Sequence, residues 1–319
     1  MSLSSFSSNT VYPSYQLPAT LMLLEDWSLV LVEGKDSKKY LQDQLTVDVY
    51  SLKQTHYVLS AHCNFNGKVW SVMYLFHYNN YYAYIERSSV VENQIKQLRK
   101  YSIFSRVIIK KNNDVCLLGL AGYDARLILL TIFEKIPDQT TPIIQNKKAI
   151  ILWFQNPSER FLLILSIQNV CWLKERMGKK IFLNDSKQWL SLDIESQIPI
   201  IDDASSAKFI PQSINLEFLQ AINFQKGCYY GQEIIARIHF RNLNKRFLCI
   251  LKGKKHIIPS IGSLIEMKIE KTWYKIGVLL SFVHLKKSTI WIQVVLDKPV
   301  HNNNIFRINQ FEKIFFKKY

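Results

Sequence analysis

Lys226-Gly227-Cys228-Tyr229-Tyr230-Gly231-Gln232-Glu233 is the stretch on which the reading of this chain turns. Two glycines bracket a cysteine and two tyrosines. Gly227 and Gly231 permit sharp turns or a close approach of backbone to backbone. Glu233 to His239 then reads as a helix, with Ile234, Ile235 and Ile238 on one side. Cys228 therefore falls just before a helix N-terminus and beside Lys226. Both features stabilise a thiolate. The same residues also suit a small, inert cysteine packed behind a loop. The residues alone leave both readings open.

Beyond Arg241 the texture changes. Phe247 to Leu251, Ser263 to Ile269, Trp273 to Val283, Ile290 to Val295 and Ile305 to Ile308 are short extended runs. Lys, Gly, Asn and Pro separate them. This pattern predicts a small antiparallel β-barrel or sandwich. A boundary near 240–246 divides the chain into portions 1–243 and 244–319.

Upstream, Leu29 to Glu33 reads as a strand, and a helix follows from Asp36 or Ser37 to about Leu45. Tyr57 to Cys63 and Lys68 to His77 are strands around an Asn66-Gly67 turn, a pair that tolerates positive φ. Tyr81 to Glu86 completes a meander, and a helix runs from Ser88 or Ser89 to about Tyr101. Strand, helix, strand, strand recurs at Val115 to Ala121, Tyr123 to Ile136, Ala149 to Phe154 and Phe161 to Ser166. Two successive α+β units of this kind predict a pseudo-repeat of ferredoxin-like halves. The fold class is α+β, with a C-terminal barrel.

With 319 residues, 48% hydrophobic and 21% charged, the chain suits two domains, or one long domain plus a small one, and can bury a sizeable core. The net charge of +16 favours polyanions or a ligand with a carboxylate tail. The lysines are spread out, and no dense block marks a nucleic-acid arm. Arg237, Arg241, Lys245 and Arg246 form only a loose cluster, whose default reading is a solvated face. Cys63, Cys116, Cys171, Cys228 and Cys249 include no CxxC pair. This predicts reduced thiols in the cytoplasm and no zinc ribbon. All but Cys228 lie in apolar runs and read as core. No histidine pair has metal-ligand spacing, so no metal is expected. No secretory signal pattern and no membrane-length apolar run are present.

The stretch Lys226-Gly227-Cys228-Tyr229-x-Gly231-Gln232-Glu233 matches the K-G-C-Y-x-G-Q-E signature of the YgfZ family, which this chain resembles. The resemblance extends through Leu17-Pro18-Ala19-Thr20-Leu21, Asp26-Trp27, Ala61-His62-Cys63, Gly67-Lys68 and Leu152-Trp153-Phe154. It continues through Glu159-Arg160-Phe161, Gln188-Trp189-Leu190, Phe209-Ile210-Pro211-Gln212 and Asn244-Lys245-Arg246.

The resemblance implies an aminomethyltransferase-like, folate-binding portion followed by the barrel. It implies a cytoplasmic protein that binds folate (tetrahydrofolate) and sustains iron–sulfur enzymes, notably a tRNA methylthiotransferase. A link to regulation of the replication initiator comes with it. Trp27 and Trp189 match the two tryptophans of the family's folate site, and Cys228 matches the signature thiol. An indole offers a stacking face to a flat pterin, although a lone tryptophan is more often core.

One departure bears on activity. In the related aminomethyltransferases the strand after the Asn66-Gly67 turn carries an acidic pair; here Ser71 and Val72 stand at about those positions. Neither works as an acid or base at neutral pH. Folate binding without aminomethyl transfer is the resulting expectation, with no independent catalytic activity. A one-carbon transferase and a direct tRNA-binding module are the alternatives.

Overall fold

A computed structural model describes residue 6 and residues 9–178, 181–254, 257–297 and 300–319. Its first elements are β1 (Thr20–Leu23), β2 (Trp27–Glu33), α1 (Ser37–Gln44), β3 (Tyr57–Cys63), β4 (Val69–Tyr78) and β5 (Tyr81–Arg87). Then come α2 (Val91–Arg99), β6 (Ile108–Lys111), β7 (Val115–Ala121), α3 (Ala125–Leu130), β8 (Ile143–Gln145) and β9 (Ile150–Phe154). β10 (Arg160–Ser166), α4 (Ile167–Met177), β11 (Phe182–Asn184), α5 (Ser186–Glu195) and α6 (Gln232–Phe240) follow. The last strands are β12 (Phe247–Lys254), β13 (Leu264–Ile269), β14 (Thr272–Leu285), β15 (Thr289–Leu296), β16 (Phe306–Ile308) and β17 (Phe315–Lys318).

The chain packs as two compact units. One comprises Met1–Tyr40, Val49–Val58 and Tyr74–Leu192; the other comprises Leu41–Asp48, Leu59–Met73 and Asp193–Tyr319. The first contains a six-stranded sheet of order β11-β1-β7-β10-β9-β8. Its central strand β7 reads Val-Cys-Leu-Leu-Gly-Leu-Ala and is buried almost throughout. That explains a nearly continuous apolar run in place of alternation. Leu118, Leu120, Phe161, Leu163 and Leu165 form its core, against Val170, Leu173 and Met177 of α4. A second sheet has the order β3-β4-β5-β2-β6, and its β2 and β5 are likewise mostly buried.

α3 is shorter than the periodicity over 123–136 predicts. It ends at Leu130, and the Thr131 hydroxyl bonds to the Ile128 carbonyl. Such side-chain bonding to a helix carbonyl competes with the backbone ladder and slightly destabilises the helix there.

The second unit carries the barrel, closed in the order β12-β15-β14-β13-β16-β17. Each expected run beyond residue 246 is a strand, and β17 joins them. Cys249, Leu251, Ile265, Ile292, Val294, Phe306 and Phe316 fill the interior. Register shifts at Ile265/Glu266 and Leu279/Ser281 leave Ile276 and Leu280 of β14 without a partner in register, irregularities of the bulge kind found in barrels.

Candidate functional site

The signature loop lies in the second unit, and its geometry follows from its residues. Asn223 starts it: the Oδ1 atom accepts the backbone N–H of Gln225 at 2.8 Å and of Lys226 at 3.0 Å. This is the local turn that asparagine favours. The Lys226 chain then reaches the end of α1. Its Nζ donates to the carbonyls of Gln42 at 2.5 Å, Leu45 at 2.8 Å and Val47 at 2.7 Å. The last carbonyls of a helix lack partners within it, and a cation suits that negative end. Burial lowers the Lys226 pKa to about 8, while the charges of Asp48 and Asp43 pull it upward.

Tyr230 adds a second tie, its N–H donating to the Asp43 carbonyl at 2.9 Å. Thr46 fastens the receiving segment. Its hydroxyl donates to the Ala221 carbonyl at 2.7 Å and accepts the Ala61 N–H at 3.0 Å. Tyr229 turns inward under Lys226, whose Nζ lies 4.9 Å from the ring centroid. Burial, with Cys63 nearby, pushes the Tyr229 phenol well above its usual range.

Gly231 has φ +83° and caps α6. A Cβ there would meet the Asn64 carbonyl oxygen at 2.4 Å, so only glycine brings the loop this close to the β3–β4 turn. That turn is organised by Asn64, whose Oδ1 accepts the N–H groups of Asn66 at 3.0 Å and Lys68 at 2.9 Å. The expected Asn66-Gly67 turn is present as part of this larger one.

Cys228 is exposed, and nothing stands within 4 Å of where a Cβ on Gly227 would be. The signature thus forms a firmly tied loop with a displayed thiol. Lys226 serves α1 rather than making a described hydrogen bond to the thiol. Gln232 reaches back to the Gly227 carbonyl at 3.4 Å, and Glu233 is exposed.

The other cysteines divide. Cys63, Cys116 and Cys249 are buried. Cys171 is exposed, against the expectation of core, because α4 buries Val170, Leu173 and Met177 and so faces Cys171 outward. Ser71 is fully buried on β4, and its Oγ has no hydrogen-bond partner among the described residues. Val72 is half-buried beside it.

Trp27 and Trp189 belong to the first unit. Trp27 opens β2 opposite Arg87 of β5, whose guanidinium lies 4.4 Å from the ring centroid. Asp26 stands between Arg87, at 3.7 Å, and the Ser186 hydroxyl, at 2.7 Å. The segments bearing the two tryptophans are thereby linked. Trp189, on α5, has the Arg160 guanidinium 4.4 Å from its ring centroid and Phe154 edge-on at 5.7 Å. A Cβ on Gly119 would lie 2.5 Å from the Trp189 Cε3.

The exposures are 7% for Trp27 and 1% for Trp189, so neither indole presents an open face to a pterin ring. As they stand, these residues do not form a ready folate clamp. Among the described residues no three of His, Cys, Asp and Glu converge to hold a metal. No described helix is long and apolar enough to cross a membrane.

A family model described as the YgfZ beta-barrel domain matches residues 244–311. The tRNA-modifying protein YgfZ of Buchnera aphidicola subsp. Acyrthosiphon pisum (strain APS) is 56% identical, over 97% of this chain and 97% of its own length. The tRNA-modifying protein YgfZ of Buchnera aphidicola subsp. Schizaphis graminum (strain Sg) is 52% identical over 100% of both chains. That of Pectobacterium atrosepticum is 43% identical over 95% of this chain and 91% of its own. Among solved structures, glycine cleavage system aminomethyltransferase T from Bartonella henselae aligns with a TM-score of 0.75. It covers 94% of this chain and 84% of its own at 16% identity, a likeness that establishes the aminomethyltransferase-like fold.

Proposed function

The chain belongs to the YgfZ family, and from that premise we propose that it is a cytoplasmic, folate-binding accessory protein in tRNA modification. Its client is an iron–sulfur-dependent tRNA methylthiotransferase, and Cys228 is the functional thiol. The family's link to the replication initiator is part of the same reading. Portion 1–243 is the folate-binding part, and 244–319 is the barrel.

One observation carries the thiol role: Cys228 is exposed while its neighbours Lys226, Tyr229 and Gly231 are tied down. A thiol displayed on a fixed mount suits repeated contact with a partner's cluster or sulfur. One thiolate does not complete the ligand set of an iron–sulfur cluster, so the client supplies the remaining ligands. Trp27 and Trp189 are the proposed folate contacts. A pterin reaches either indole only when local side chains, Arg87 or Arg160 among them, make room. Ser71 and Val72 in place of carboxylates support binding without aminomethyl transfer.

The test is Cys228→Ala in cells that lack the wild-type chain, with tRNA methylthiolation read by mass spectrometry of nucleosides. Loss of the modification with normal protein levels is expected. Normal methylthiolation would overturn the thiol role.

A further inference from the structure

The barrel gathers lysines that the sequence scatters. Lys252 and Lys254 lie on β12, and Lys317 and Lys318 lie on β17, just after Lys313. Antiparallel pairing of these strands places Lys252 directly opposite Lys317. All five lysines line one groove of about 560 Å3, and no carboxylate is among the described residues of its wall. That volume is within the range of about 300–1,000 Å3 typical of ligand sites.

Like charges directly opposite each other destabilise a strand pair. Lys252 and Lys317 are both exposed. An anion seated between them converts their repulsion into shared attraction. The groove also has an aromatic wall. Phe315 is 53% exposed, yet its ring stacks parallel to Trp273, with centroids 5.8 Å apart and planes 2° from each other. Arg307 lies 4.4 Å from the Trp273 ring centroid and is itself held by Glu266 at 2.7 Å. Phe315 is therefore a backed, outward-facing platform.

Single-stranded nucleic acid is held by this combination: cations follow the phosphates, and rings stack on the bases. An acidic peptide would engage the lysines but give Phe315 no role. We propose that the groove binds single-stranded RNA, with phosphates on the lysines and a base on Phe315. The choice of RNA over DNA rests on the tRNA-modification reading above.

The experiment uses the full chain and a fluorescein-labelled uridine oligomer, with anisotropy read between about 50 and 200 mM salt. Affinity should fall steeply with salt. Lys252→Gln with Lys317→Gln should lower the log–log slope by about 1.4, at about 0.7 for each phosphate no longer neutralised. That double variant should unfold no earlier than wild type, because a repulsion has been removed. Lys252→Arg with Lys317→Arg should keep the slope. Phe315→Ala should weaken binding about tenfold at fixed salt. Cys228→Ala should bind RNA normally, which separates this proposal from the thiol role. Four outcomes would overturn it: no RNA binding at low salt, unchanged binding by the glutamine and alanine variants, equally tight DNA binding, or displacement by polyglutamate as effective as by polyuridine.

Discussion

A Cβ on Gly231 would lie 2.4 Å from the carbonyl oxygen of Asn64. That closeness, with φ at +83°, makes the second glycine of the signature a requirement of proximity rather than of flexibility. Gly231→Ala should cost about 1–3 kcal/mol for the left-handed dihedral alone. The steric overlap adds to this, and the hairpin and loop must separate. The expected result is a lower urea midpoint together with loss of tRNA modification. A variant with the wild-type midpoint would contradict the packing.

The cysteines should divide into two kinetic classes under alkylation of the native protein. Cys228 and Cys171 are exposed and should label first. Cys63, Cys116 and Cys249 are buried, and burial raises all three thiol pKa values, to about 11 for Cys116 and Cys249. Since the thiolate is the nucleophile, these three should label only on unfolding. Peptide mapping by mass spectrometry would check this. Rapid native labelling of Cys63 would show that the core behind Tyr229 opens. Cys228→Ala should change stability by no more than about 0.5 kcal/mol, as for other surface sites.

The pH dependence of stability centres on His62, which bridges to Leu45 behind the Lys226 anchor. Its complete burial lowers the imidazole pKa from 6.5 to about 3. Between those values the unfolded chain takes up a proton that the folded chain refuses. Stability from this group is therefore complete above pH 6.5 and is lost as the pH falls, by about 1.4 kcal/mol per unit. Carboxylates with lowered pKa, such as Glu159, contribute their own losses only near and below 4.5. Urea titrations from about pH 7 to 5 should slope for wild type and flatten for His62→Gln. A flat wild-type profile would mean that His62 is not buried as a neutral ring.

The legible parts of the molecule were those with a local signature. The meander from β3 to β5 could be read because Asn66-Gly67 and Asn79 mark turns between alternating runs, and the barrel strands could be read for the same reason. α5 could not. Its Gln188, Trp189, Leu190, Ser191, Leu192, Asp193 and Ile194 are all buried, so no amphipathic period survives to announce a helix. Within the signature, the exposed thiol was one of two open readings. The anchoring of Lys226 on carbonyls of Gln42, Leu45 and Val47 depends on residues far away in sequence, and no spacing rule reaches it. The arginines over Trp27 and Trp189 went unseen for the same reason: cross-strand and helix-to-strand neighbours place them.

Those arginines decide how the folate proposal should be tested. Trp189 is a core side chain, and truncating a buried tryptophan to alanine costs about 3–5 kcal/mol. Loss of binding in such a variant would report on folding as much as on the ligand. Trp189→Phe and Trp27→Phe keep an aromatic ring and most of the packing. Tetrahydrofolate should quench wild-type tryptophan fluorescence saturably, and each phenylalanine variant should bind more weakly while still unfolding in one cooperative transition, with a urea midpoint lowered less than by alanine. Replacing Arg87 with Lys keeps its charge but removes the planar group lying on Trp27. If the guanidinium must leave the indole before a pterin arrives, Arg87→Lys should bind at least as tightly as wild type. If instead it grips the folate carboxylates, Arg87→Lys should bind more weakly, and the closed face at Trp27 would be part of the site. Absence of saturable quenching in wild type would remove folate from the proposed function and leave the Cys228 loop to stand without it.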